Sequence, residues 1–107
     1  DASLATVGVD ENTSPGSYSI SNNYPNPFNP VTHINYNLPK KSHVHLSIYD
    51  ILGRKVITLK NDIENAGNKS ISWNGLNHYG EISSAGMYFY KFEVGDFKQT
   101  KKMILLK

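Results

Sequence analysis

From Thr32 onward the chain repeatedly alternates apolar and polar residues with a period of two. That is the spacing of a strand with one buried and one wet face. Ile34, Tyr36 and Leu38 share one face, and His33, Asn35 and Asn37 the other. Val44, Leu46 and Ile48 then oppose His43, His45 and Ser47. Residues 54–59 read as a returning strand, 69–73 as a strand around Ile71 and Trp73, and 97–106 as the last strand. The window 87–94, Met-Tyr-Phe-Tyr-Lys-Phe-Glu-Val, is partly apolar on both faces, as expected of a central strand. Residues 18–20 make a short first strand, residues 61–67 are too mixed to read as one, and 74–85 is an irregular segment.

The punctuation agrees. Pro39 to Ser42 is a turn, Gly95-Asp96 is a two-residue hairpin turn, and Asp50-Ile51-Leu52-Gly53 has the Asp and Gly of a type I turn. Arg54 then stands where it can pair with a nearby acid. About seven short strands with no competing helical period predict an all-β fold, an immunoglobulin-like antiparallel β-sandwich. Trp73, Tyr88, Tyr90 and Phe92 are the expected aromatic core.

Tyr24-Pro25-Asn26-Pro27-Phe28-Asn29-Pro30 interrupts this pattern. Each proline fixes its φ, lacks an N–H and biases the residue before it towards extended geometry. The run predicts a stiff, extended connector capping one end of the sandwich, with Phe28 plugging the core. Residues 1–16 lack apolar periodicity and end in Asn12-Thr13-Ser14-Pro15-Gly16, the composition of a linker from an upstream domain. Leu4, Val7 and Val9 could instead form a short strand. The division expected is therefore a linker over 1–16 and a sandwich over 17–107, with the polar start at Asp1 suggesting a piece of a longer protein.

The 107 residues suit one domain, and the absence of cysteine removes disulfides, thiolate metal sites and cysteine nucleophiles. A net charge of +2 is too small to suggest nucleic acid, and no apolar run is long enough to insert into a membrane as a helix. No nucleophile elbow, paired acids or phosphate loop is present, so no catalysis is expected. His33, His43 and His45 would make a metal site only if a hairpin brought His33 opposite the other two. A solvated polar face is the simpler reading, and no metal or cofactor is expected. Tyr49, Trp73, Tyr79 and Tyr88 could form a sugar-binding platform, but strand aromatics are more often core or cross-strand partners.

Several stretches fit one pattern in order: 23–30, Ile34-x-Tyr36-x-Leu38-Pro39, Ile48 to Val56, Ala66-Gly67, Trp73-Asn74-Gly75, Ser84 to Tyr90, and Lys101-Lys102-Met103-Ile104-Leu105-Leu106-Lys107. Together they resemble the C-terminal sorting domain, type A, of cargo proteins of the type IX secretion system of the Bacteroidetes. That class is itself similar to the immunoglobulin-like domain of flagellar hook-capping proteins.

The resemblance implies a non-catalytic signal for export of a larger cargo through the outer-membrane translocon. It implies as partners the secretion machinery, a surface sortase and the upstream cargo domain. The implied location is the medium or cell surface, reached through the periplasm of a Gram-negative bacterium. Lys101, Lys102, Met103, Leu105 and Lys107 are the expected recognition residues, with Gly53 and Gly86 serving the fold. Asn74 and Asn77 stand where relatives often carry Asp, which weakens any cation site there. The alternative functions are a carbohydrate-binding module on a polysaccharide-degrading enzyme and a passive immunoglobulin-like spacer.

Overall fold

The computed structural model describes residues 17–106. The linker expectation for 1–16 and the side chain of Lys107 lie outside the described residues. Seven strands form: β1 Ser19–Ile20, β2 Thr32–Leu38, β3 Ser42–Asp50, β4 Lys55–Glu64, β5 Gly67–Trp73, β6 Gly86–Val94 and β7 Phe97–Leu105. They assemble into two antiparallel sheets, β1-β2-β5 and β4-β3-β6-β7. This is the sandwich that the alternation predicts.

The inward faces carry the apolar sets. Ile34, Tyr36, Leu38 and Trp73 from the first sheet meet Val44, Leu46, Ile48, Tyr90, Phe92, Met103 and Leu105 from the second. The rings interlock across the gap. Trp73 meets Tyr88 edge-on at 5.3 Å between centroids, and Tyr36 lies 5.2 Å from Phe92. The polar tips of the buried Trp73 and Tyr90 rings find partners, as a dry core favours. Trp73 Nε1 donates to Leu76 O at 2.9 Å, and Tyr90 Oη donates to Ser21 O at 2.7 Å.

Two segments depart from the reading of the sequence. The polar stretch from Asn61 is strand up to Glu64, because the ladder His43↔Ile63, Val44↔Asp62 and His45↔Asn61 carries it. β4 is an edge strand with a wet face, where pairing overrides polar composition. The proline run, in turn, is no extended connector. Tyr24 and His33 exchange backbone bonds of 2.9 and 2.8 Å, closing residues 24–33 into a loop. Its Xaa–Pro bonds at Pro25, Pro27 and Pro30 are cis.

The histidines are also not gathered. The Pro39 turn carries the chain from one sheet to the other, so His33 lies on β2 while His43 and His45 lie on β3 in the second sheet. His45 is occupied by Glu93 at 3.3 Å.

Burial raises the Tyr90 hydroxyl to about 12, against a smaller opposing contribution from the Asn23 amide. A tyrosine pKa raised by folding stabilises fully below its unfolded value of 10.0, and that contribution is lost as pH rises towards the folded value. Urea midpoints should therefore hold steady up to about pH 10 and fall between 10 and about 12. In Tyr90→Phe the fall over that window should be shallower.

Candidate functional site

The seven strands put the chain's landmarks at opposite ends of the sandwich. At one end Tyr18 stacks on Phe97 at 5.8 Å, where the chain enters β1. At the other end β7 finishes, amid the proline loop, the Asp50 turn and the segment 74–85. This far end is the candidate site.

The proline loop grips the last strand. Phe28 is 1% exposed and its ring lies 5.6 Å from Trp73, so it closes the core at this end. Around it the backbones pair. Phe28 N donates to Ile104 O at 3.0 Å, and Leu106 N donates to Phe28 O at 2.8 Å. Ile104 N donates to Asn26 Oδ1 at 3.0 Å. The loop is braced from behind by Thr32 Oγ1, which donates to Pro25 O at 2.8 Å, and by Asn23 Nδ2, which donates to Thr32 Oγ1 at 3.0 Å. Tyr24 is exposed, and Pro25, Asn26, Pro27, Asn29 and Pro30 form the surface of the loop.

Two turns of the same construction lie side by side at this end. Asp50 Oδ1 accepts the N–H groups of Leu52 and Arg54, Gly53 N donates to Asp50 O, and Asp50 N donates to Arg54 O. Asn77 repeats each element: its Oδ1 accepts from Tyr79 and Glu81 N–H, Gly80 N donates to Asn77 O, and Asn77 N donates to Glu81 O. Gly53 and Gly80 sit at φ +83° and +81°, the left-handed region that this turn requires and that favours glycine. The Arg54 N–H is the largest influence on the Asp50 carboxyl; it outweighs the opposing desolvation and, with the Leu52 N–H and the Arg54 guanidinium, holds the carboxyl below its usual range. The two turns are tied together where His78 N donates to Val56 O at 3.0 Å. A hollow of about 350 Å³ separates them, lined by Arg54, Lys55, His78 and Tyr79 among others.

The sequence-expected recognition residues divide by strand alternation. Lys102 is exposed and Lys101 half-buried, whereas Met103 is 0% and Leu105 2% exposed. Met103 and Leu105 are therefore core residues and are not on the surface. Their outward neighbours Ile104 and Leu106 are exposed instead. Except for Ile63 on β4, every exposed large hydrophobic among the described residues lies at this end, including Ile51, Leu52, Tyr79 and Ile82. The four expected platform residues are not gathered on one surface: Trp73 and Tyr88 are buried, Tyr49 is half-buried on β3, and Tyr79 is exposed against His78.

Asn74 Oδ1 accepts from Leu76 N at 3.2 Å, so both Asn74 and Asn77 serve as turn caps. Among the described residues no three His, Asp or Glu side chains gather as metal ligands. Gly86, with φ +146°, opens β6.

The molecule is a small β-sandwich with apolar turns gathered round its last strand. The chain belongs to the family of secretion system C-terminal sorting domains, which it matches over residues 22–106. The resemblance to type IX sorting domains is thereby borne out. The fold also resembles solved structures. Against dimeric latent PorU from Porphyromonas gingivalis the TM-score is 0.68 at 21% identity, covering 84% of this chain and 9% of that one. Against FLGD from P. Aeruginosa it is 0.55 at 25% identity, covering 69% and 58%. PorZ, an essential surface component of the type-IX secretion system of P. gingivalis, gives 0.55 at 15% identity, covering 84% and 11%. The chain thus spans only a small part of PorU and PorZ. No curated protein matches it.

Truncating Phe28 tests the clasp. Phe28→Ala should cost about 3–5 kcal/mol in urea unfolding, because a ring is removed from a closed core. Asn26→Ala should cost only about 1 kcal/mol while speeding amide exchange at Ile104, whose N–H loses its acceptor.

Proposed function

We propose that this domain is the export signal of a larger cargo protein and acts by protein recognition without catalysis. The folded sandwich directs the cargo from the periplasm through the type IX outer-membrane translocon, for release or attachment at the cell surface. Membership of the sorting-domain family over residues 22–106 carries this reading. The upstream cargo is joined through residues 1–16, and a surface sortase acts on that side of the sandwich.

The geometry supports a division of labour along the last strand. Lys101, Lys102 and Lys107 provide cationic contacts for the machinery. Met103 and Leu105 act from inside, anchoring the strand so that its outer face is presented in one register. Ile104 and Leu106 add exposed apolar contact next to the lysines. Such a rigid presentation lowers the entropy lost on binding.

A periplasmic fluorescent reporter carrying residues 1–107 at its C-terminus should reach the surface or the medium in a bacterium with a working type IX system. Lys101→Glu/Lys102→Glu should reduce that export severalfold with little change in urea midpoint, since both side chains point at least partly to solvent. Retention of the unmodified fusion in the periplasm of a host that exports its own cargo refutes the sorting role. Undiminished export of the charge-reversed fusion removes the lysines from it.

A further inference from the structure

β7 is the outer strand of the second sheet; among the described strands its neighbour is β6, and Phe28 of the proline loop bridges to its end at Leu105. Its hairpin closes through Val94↔Phe97 around Gly95-Asp96, with Gly95 at φ +59°. The pair flanking a two-residue turn exchanges both backbone bonds, and bonded pairs recur every second residue. Phe97, Gln99, Lys101, Met103 and Leu105 therefore direct their backbone groups at β6. Lys98, Thr100, Lys102 and Ile104 direct theirs outwards. The bonds of Ile104 to Asn26 and Phe28 confirm this phase.

The proline loop thus seals the outward edge at Ile104 and Leu106 and leaves the part before it open. Among the described residues nothing pairs with the outward backbone groups of Lys98, Thr100 and Lys102. All three residues are exposed. A hollow of about 530 Å³ lies along this stretch, lined by Asn22, Asn26, Phe89, Thr100, Lys101 and Lys102.

A bare edge invites another strand, and charge decides which one. A second copy pairing antiparallel about Thr100 would set Lys98 of each chain opposite Lys102 of the other. Like charges directly opposed on a sheet are unfavourable. Lys98 is only loosely held, with its Nζ 4.0 Å from Glu93. Lys101 and Lys102 make no ion pair among the described residues.

We propose that the open edge over Lys98–Lys102 accepts an extended acidic segment of a partner protein as a fifth strand of the sheet. Main-chain bonds to Lys98, Thr100 and Lys102 supply the attachment, and acidic side chains opposite the lysines supply the selectivity. The proline loop and the Gly95 turn limit the docked stretch to the residues between them. This deepens the recognition reading above and rests on it, since it names the chemistry of the partner.

The test is fluorescence anisotropy on the full chain with a synthetic peptide of about eight residues alternating Glu and Val, a typical strand length. The controls are the same peptide N-methylated at alternate amides and a Lys–Val counterpart. Proline is tolerated at an edge position whose N–H faces solvent, so Thr100→Pro removes one outward donor and spares the ladder to β6. Circular dichroism and urea unfolding check that it folds.

The Glu–Val peptide should bind the unmodified chain. Either N-methylation or Thr100→Pro should weaken it by about tenfold, the size of one well-formed backbone hydrogen bond. Lys98→Glu/Lys102→Glu should abolish binding and transfer it to the Lys–Val peptide. Absence of binding overturns the proposal, as does binding indifferent to both backbone changes. Displacement by inorganic polyphosphate that is equal on Thr100→Pro also overturns it, by showing a plain anion site. Reporter export is scored separately. Export undiminished in a Thr100→Pro domain that has lost the peptide refutes edge capture as the recognition step, whereas failed export of the unmodified domain counts against the sorting role itself.

Discussion

The closure of the core by Phe28 is the contact on which this end of the molecule depends. The ring lies against Trp73, which in turn meets Tyr88 edge-on. With the ring in place, the Phe28 backbone spans Ile104 and Leu106, and Asn26 takes the Ile104 amide. Residues near the start of the folded part are thus fastened to residues at its end. That contact is long-range in sequence and local in space, so it joins the two sheets without a disulfide in a chain that has no cysteine. Removing the ring would open a cavity and also release the geometry that presents the last strand.

The strands were legible in the sequence because their alternation is driven by burial. Ile34, Tyr36 and Leu38, or Val44, Leu46 and Ile48, can be sorted by parity alone, and all six are buried. Asn61 to Glu64 were not legible, because an edge strand held by its partner needs no apolar signature. The proline run caps the core, as its sequence predicts, but folds back as a loop instead of running extended. Proline fixes local dihedrals but says nothing of the backbone partners, which lie some eighty residues away on β7. The same parity rule also places Met103 and Leu105 in the core and leaves Ile104 and Leu106 outside. The Asn77 turn had a signal: an Asx residue three before a glycine, spaced as in Asp50 and Gly53.

The fold separates two tasks on one strand. Beyond Met103 the last strand is closed, roofed by the proline loop and anchored in the core. Before it, the edge is cationic and unpaired among the described residues, and the hairpin fixes its inner side to β6. The lysines that make self-pairing unfavourable are the ones that would favour an acidic partner, so solubility and selectivity come from the same charges. The apolar turns at Ile51, Leu52 and Tyr79 stand at the same end, which gives that end of the sandwich the most contact area to offer.

Site-specific photocrosslinking during export tests this account most directly. A photoreactive residue would replace Thr100 or Lys102 on the open edge, and Asn61 or Asp62 on the opposite edge strand β4, in a reporter fusion passing through a working type IX system. The account predicts that Thr100 and Lys102 crosslink to a component of the secretion machinery and that Asn61 and Asp62 do not. Equal or stronger crosslinking from Asn61 and Asp62 would contradict it.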